Sequence, residues 1–116
     1  MQKRILIAED HIATREALTM SAMNNGYDVV SVSDGLEYLS AVSKEHFDLI
    51  ITDLMMPDLN GASATDIMKL KGDDTPVIVV TALPYDDIRH INDKFIKIFH
   101  KPIDSKELFE YIKSIL

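Results

Sequence analysis

Short apolar runs alternate along this chain with longer stretches in which apolar residues recur every three or four positions. The runs are Ile5 to Ala8, Val29 to Val32, Leu49 to Ile51, Val77 to Val80 and Ile96 to Phe99. Leu49-Ile50-Ile51 and Val77-Ile78-Val79-Val80 carry no polar alternation, which predicts strands covered on both faces, as in the middle of a parallel sheet. Between the runs the spacing predicts helices. The first covers Thr14 to Asn24 and stops at Asn25-Gly26; the second covers Gly35 to Lys44 behind an Asp34 cap, with Leu36, Leu39 and Val42 on one stripe. A third covers Ala62 to Leu70 and stops at Lys71-Gly72, and a fourth falls within Pro84 to Asp93. The last begins at Asp104, with Glu107 three residues on as in a capping box, and places Leu108, Tyr111, Ile112, Ile115 and Leu116 on one face. Five strands alternating with five helices through short connections imply right-handed crossovers and a three-layer α/β sandwich.

A length of 116 residues with 47% apolar positions fits one domain, residues 1–116, with a continuous core. The net charge of −7 and pI near 4.9 argue against direct nucleic-acid binding and against anionic membrane surfaces. The absence of cysteine removes disulfides, thiolate catalysis and cysteine-held metals. Ile5 to Ala8 is too short for a signal sequence, and no stretch approaches the roughly 20 apolar residues of a membrane span. A soluble cytoplasmic protein is the expectation. The six methionines are expected as core filler and loop contacts, and Tyr27, Tyr38, Phe47, Phe95, Phe99 and Phe109 are expected to pack against the sheet.

In an open parallel sheet, functional groups gather beyond the carboxyl ends of the strands. The residues there are Glu9 and Asp10 after the first run, Asp53 after the third, Thr81 after the fourth, and Lys101 with Pro102 after the fifth. Three carboxylates brought together repel one another unless a cation intervenes. Oxygen ligands from Asp10, Asp53 and a backbone carbonyl suit Mg²⁺, with Mn²⁺ as a substitute, whereas His11, His46, His90 and His100 lack the paired spacing of a zinc site. A carboxylate beside a divalent cation, a lysine and a threonine is a phosphoryl-transfer arrangement, with Asp53 as the nucleophile. Taken singly, each of these residues has an ordinary reading as a cap, turn or loop residue. Their joint occurrence at the strand ends carries the functional one.

The pieces Ile5-Leu6-Ile7-Ala8-Glu9-Asp10, Asp53-Leu54-Met55-Met56-Pro57-Asp58-Leu59-Asn60-Gly61, Val79-Val80-Thr81-Ala82 and Lys101-Pro102 resemble the receiver domain of two-component response regulators over the whole chain. The resemblance implies a flavodoxin-like, doubly wound five-stranded parallel sheet of order 2-1-3-4-5 with helices on both faces. It implies a switch more than an enzyme, one that assists its own phosphorylation and dephosphorylation. Asp53 would be phosphorylated by a phosphohistidine on a sensor histidine kinase or histidine phosphotransfer protein. Asp10, Asp53 and the Met55 main-chain carbonyl would bind Mg²⁺, with Glu9 acting through a metal-bound water. Thr81 and Lys101 would each take a phosphoryl oxygen, and the Lys101-Pro102 bond would be cis. The partners would be that phosphodonor, recognised around His11 to Ala22, and a downstream effector or output domain. Phosphorylation-dependent homodimerisation through helix 4, strand 5 and helix 5 is a further expectation.

Three positions and one segment depart from the pattern. Ile98 stands three before Lys101, where many receivers carry an aromatic that swings with the threonine, so the coupling would use Phe99, another side chain or another output surface. Helix 4 is expected to be short, shifted or mobile. Met55 and Leu83 are apolar where resembling proteins place polar residues around the hydrolytic water, which implies slow self-dephosphorylation. His100 is expected to be a packing residue. The alternatives are a phosphorylation-independent interaction module of the same fold and a small Mg²⁺-dependent phosphatase; the latter wants an aspartate at the place of Met55.

Overall fold

The protein is described here by a computed structural model covering residues 2–116. Its strands are β1 (Arg4–Ala8), β2 (Asp28–Val32), β3 (Leu49–Thr52), β4 (Val77–Thr81) and β5 (Lys97–His100). They form one parallel sheet in the order β2-β1-β3-β4-β5. The helices are α1 (Ile12–Asn24), α2 (Gly35–Lys44), α3 (Gly61–Leu70), α4 (Tyr85–Ile88) and α5 (Ser105–Ile115). This is the expected flavodoxin-like arrangement. The central strands β3 and β4 are buried at every position, as their unbroken apolar runs require.

Two apolar clusters flank the sheet. Ile5, Ile7, Ile51, Ile78 and Phe99 pack with Leu18 and Ala22 of α1 and Leu108, Phe109 and Ile112 of α5. Leu6, Ile50, Val77 and Val79 pack on the other face with Tyr38, Ala64, Met68 and Ile88 of α2, α3 and α4. Strand alternation divides each run between the two layers. The buried Tyr38 hydroxyl is shared with Thr65 Oγ1 at 2.8 Å and ties α2 to α3, so a phenol enters the core without an orphaned oxygen. The other five expected core aromatics are buried or half-buried against the same clusters.

Capping follows local chemistry. Asp34 Oδ1 accepts from the Glu37 amide at 2.7 Å while Glu37 Oε1 accepts from the Ser33 amide at 2.7 Å. Asp104 Oδ1 accepts from the Lys106 and Glu107 amides. Helix α1 begins two residues earlier than its apolar spacing predicts because the His11 ring caps it, accepting from the Thr14 amide at 3.4 Å.

One expectation holds and two need correction. Helix α4 is a single turn within Pro84 to Asp93, short as expected, and a 3₁₀ turn over Asn92–Lys94 follows it. Arg89-His90-Ile91-Asn92-Asp93 is mostly weak in helix propensity. Contacts with α3 hold the segment instead, since Lys94 Nζ pairs with Asp66 at 2.7 Å and Lys69 Nζ donates to the Lys94 carbonyl at 2.7 Å. The methionines are not mainly core filler. Met68 is buried and Met56 packs beside it, but Met20, Met23 and Met55 are each at least 60% exposed. His100 is exposed rather than packed.

Candidate functional site

Three backbone hydrogen bonds carry the sheet ladder one residue past the strand ends. The Glu9 amide donates to Val32 O, the Asp53 amide to Ala8 O and the Lys101 amide to Thr81 O, at 3.0, 3.0 and 2.8 Å. Each binds a chemistry-bearing residue to the last residue of a neighbouring strand, so Glu9, Asp53 and Lys101 are held at one edge with the rigidity of the sheet. Asp53 is 6% exposed, Glu9 1% and Thr81 0%, while Asp10 faces solvent.

Lys101 lies between two acids. Its Nζ donates to Asp53 Oδ2 at 2.8 Å and stands 2.7 Å from Glu9 Oε1. The buried Glu9 Oε1 thus faces the ammonium as a close ion pair. Glu9 Oε2 accepts from the His11 amide at 3.0 Å, and Asp53 Oδ1 accepts from the Met55 amide at 3.2 Å. Burial pushes the Glu9 carboxyl above its usual range, against the opposing pull of Lys101. Burial alone would lower the Lys101 ammonium, but its bonds to Asp53 and Glu9 outweigh that and hold it above its ordinary value. The peptide between Lys101 and Pro102 is cis, as expected.

One oxygen from each of Glu9, Asp10 and Asp53 lies within 4.8 Å of the others. Three clustered carboxylates, two of them buried and with a single ammonium among them, suit a hard divalent cation that keeps part of its hydration. The Met55 carbonyl was expected as a ligand; the contact seen for that residue is made by its amide, and its side chain is 60% exposed.

Thr81 ends the strand next to that of Asp53, and its hydroxyl accepts from the Leu83 amide at 3.1 Å. Alternation places Thr81 on the face of Val79 and Ile98, whereas Phe99 packs with α1 and α5 on the other. Coupling of Thr81 through Phe99 therefore has no geometric basis, and the half-buried Ile98 occupies that layer. A groove of about 770 Å³ runs from Asp10 and Met55 past Leu83 to Ile88 and Ile91, so the site has one apolar flank.

Two contributors escape the reading of the sequence. Arg15 Nη1 donates to the Glu9 carbonyl at 2.8 Å, and a cation this near a helix start was the available signal. Gly35 faces the Leu59 backbone so closely that a Cβ would collide with it, which fixes the β3–α3 loop against α2.

The charged state of Glu9 gives a pH prediction. A carboxyl with a raised folded pKa is disfavoured by the fold when ionised, so its protonated form adds stability at low pH that is lost as pH rises through the folded pKa. Metal-free Glu9→Gln should melt above the parent at pH 7, and the gap should close as pH falls toward 4.5, the ordinary carboxyl value. Thermal melts in EDTA across that range check it; a variant less stable at pH 7 would refute it.

Comparison with known proteins identifies the family. The response regulator receiver domain family matches residues 5–113. The probable transcriptional regulator ycf27 of Porphyridium aerugineum is 38% identical over 119 residues, spanning 100% of this chain and 49% of that protein. The response regulator MprA of Mycobacterium bovis is 39% identical over 82 residues, or 71% of this chain and 36% of that protein. The chain thus spans about half or less of the length of these curated relatives. Among solved structures, the response regulator TrrA of Thermotoga maritima in complex with Mg(2+)-BeF superposes with a TM-score of 0.88 at 28% identity, covering 99% of this chain and 100% of that one.

Proposed function

The chain belongs to the response regulator receiver domain family of two-component signalling, and from that premise we propose that it is a phosphorylation-controlled switch whose phosphoacceptor is Asp53. The observation that carries the reading is the Lys101 ammonium held between Asp53 and Glu9. It is a tethered cation already at the acceptor carboxylate, free to pair with a phosphoryl oxygen once negative charge arrives there.

The donor is a phosphohistidine of a sensor histidine kinase or histidine phosphotransfer protein. An Asp53 oxygen attacks phosphorus, the O–P bond forms as the N–P bond breaks, and the imidazole leaves with the bonding pair. Thr81 donates its hydroxyl to one phosphoryl oxygen and Lys101 pairs with another. Mg²⁺ or Mn²⁺, held by Asp10, Asp53 and the Met55 carbonyl with Glu9 acting through a water, would neutralise carboxylate and phosphoryl charge together. The similar TrrA regulator, solved with Mg(2+)-BeF, supports that choice of ion. The readout is altered binding of a downstream effector or output domain, and dimerisation through α4, β5 and α5 is one form it would take. A cytoplasmic location belongs to the same reading; no helix among the described residues is long and apolar enough to cross a membrane.

The test is intact mass after incubation with Mg²⁺ and acetyl phosphate. One phosphoryl addition that EDTA prevents supports the switch. No addition under conditions that label another receiver would leave a phosphorylation-independent interaction module.

Met55 is 60% exposed and Leu83 half-buried beside the groove, and neither holds a water by hydrogen bonding. Self-dephosphorylation should therefore be slow. A Met55→Asn, Leu83→Glu double variant should lose phosphate faster by on the order of 10-fold, less than a positioned acid or base contributes, because the water is only oriented. Phosphate loss at the parental rate would sink the idea.

A further inference from the structure

Arg15 stands in the first turns of α1, and its half-buried side chain turns back along the β1–α1 loop. Nη1 donates to the carbonyl oxygen of Glu9 at 2.8 Å and approaches that of Asp10 at 3.4 Å. These are two of the three residues whose carboxylates form the acidic cluster. A cation near a helix start runs against the dipole, and beside three carboxylates it weakens the field that attracts a metal ion. On charge alone the residue is unfavourable twice, so its role lies in the bonds it makes.

Those bonds add to the anchoring of the loop at Asp10. Glu9 is anchored through its amide to Val32 and through Oε2 to the His11 amide, whereas Asp10 is exposed. Holding the carbonyl oxygens of the two peptides that flank the Asp10 Cα sets both peptide planes, and with them the direction in which the Asp10 side chain leaves the backbone. Resting on the reading of Asp10 and Asp53 as metal ligands, we infer that Arg15 is a positioning residue that aims the Asp10 carboxylate at the divalent cation. It acts through the main chain and touches neither the ion nor the phosphoryl group.

The two effects of the guanidinium have opposite signs, which makes the inference testable. As a nearby positive charge, Arg15 would weaken Mg²⁺ binding, so its removal would tighten it. As a clamp, it organises the site, so its removal loosens it. Supporting contacts around metal ligands typically contribute 10–100-fold in affinity, and a main-chain contact belongs at the low end.

The experiment is calorimetric titration with Mg²⁺ at fixed ionic strength on the parent, Arg15→Met, Arg15→Lys and Thr19→Val. Thr19→Val removes a hydroxyl bonded to the Arg15 carbonyl at 2.7 Å and to Ser31 at 2.6 Å, so it loosens the same helix turn while sparing the guanidinium. The expected result is about 10-fold weaker binding in Arg15→Met, a partial recovery in Arg15→Lys, whose single ammonium reaches one carbonyl, and parental affinity in Thr19→Val. Tighter or unchanged binding in Arg15→Met, or an equal loss in Thr19→Val, overturns the inference and leaves the reading of the site intact. Absence of Mg²⁺ binding by the parent chain would bring down that reading and this inference with it.

Discussion

Asp53→Asn should abolish the phosphoryl addition that the parent chain takes from acetyl phosphate and Mg²⁺. The amide lacks the anionic oxygen that attacks phosphorus, and neighbouring residues offer no replacement of equal geometry. Glu9 is 1% exposed, and its Oε1 faces Lys101. Asp10 is exposed, and the Lys101 ammonium stands against Asp53 and Glu9 instead. Labelling should fall at least 100-fold, the scale on which loss of an attacking group is felt. The variant should keep its fold, because asparagine still accepts from the Met55 amide at the position of Oδ1. Phosphoryl incorporation by the folded variant at the parental rate would move the acceptor to another carboxylate and overturn the assignment.

The second large effect is structural and reaches the site through the backbone. Gly61 opens α3, and a Cβ there would run into the carbonyl oxygen of Asp53 and come within 2.7 Å of the Thr52 hydroxyl. The Thr52 hydroxyl itself donates to that carbonyl at 2.8 Å, and the Gly61 amide donates to Leu54 O at 3.1 Å, so α3 starts pressed against the acceptor's own peptide. Gly61→Ala must move backbone rather than a flexible side chain. A destabilisation of about 2–3 kcal/mol follows from overpacking of this kind. For a domain of this size that lowers the melting midpoint by roughly 10 °C. Phosphorylation should slow as well, since Asp53 shifts with its peptide. Gly72→Ala is the comparison: its φ of 91° is strained for alanine, but nothing lies within 4 Å of the added methyl. That variant should lose about 1 kcal/mol and leave phosphorylation unchanged. Equal melts for the two variants, with labelling intact in both, would show that the contact at Gly61 is soft.

The sequence made most of the site legible. Glu9, Asp10, Asp53, Thr81 and Lys101 each follow an apolar run, and in a parallel sheet that position alone puts them on one edge. Arg15 was legible only as a cation near a helix start, because its hydrogen bonds to two main-chain carbonyls leave no mark on the spacing of side chains. Helix α4 was legible as a short helix within Pro84 to Asp93, but the Asp66 and Lys69 contacts that hold the segment as one turn and a 3₁₀ turn were not, because they come from α3. Met20 and Met23 read as core and stand exposed on α1, because an apolar residue on a helix does not declare which neighbour, if any, will cover it.

By itself, then, the chain's pattern determined its elements and the set of chemical groups at their ends. Both follow from interactions between near neighbours: alternation, helical spacing, caps and glycine stops are written within a few residues of where they act. Only the tertiary structure decided that one lysine ammonium stands between Asp53 and Glu9, that the Glu9 carboxyl is buried, and that Ile98 rather than Phe99 shares the layer of Thr81. Those outcomes depend on contacts between residues distant in sequence, whose strength comes from burial and low local dielectric, and neither exists until the sheet and its two helical layers have closed.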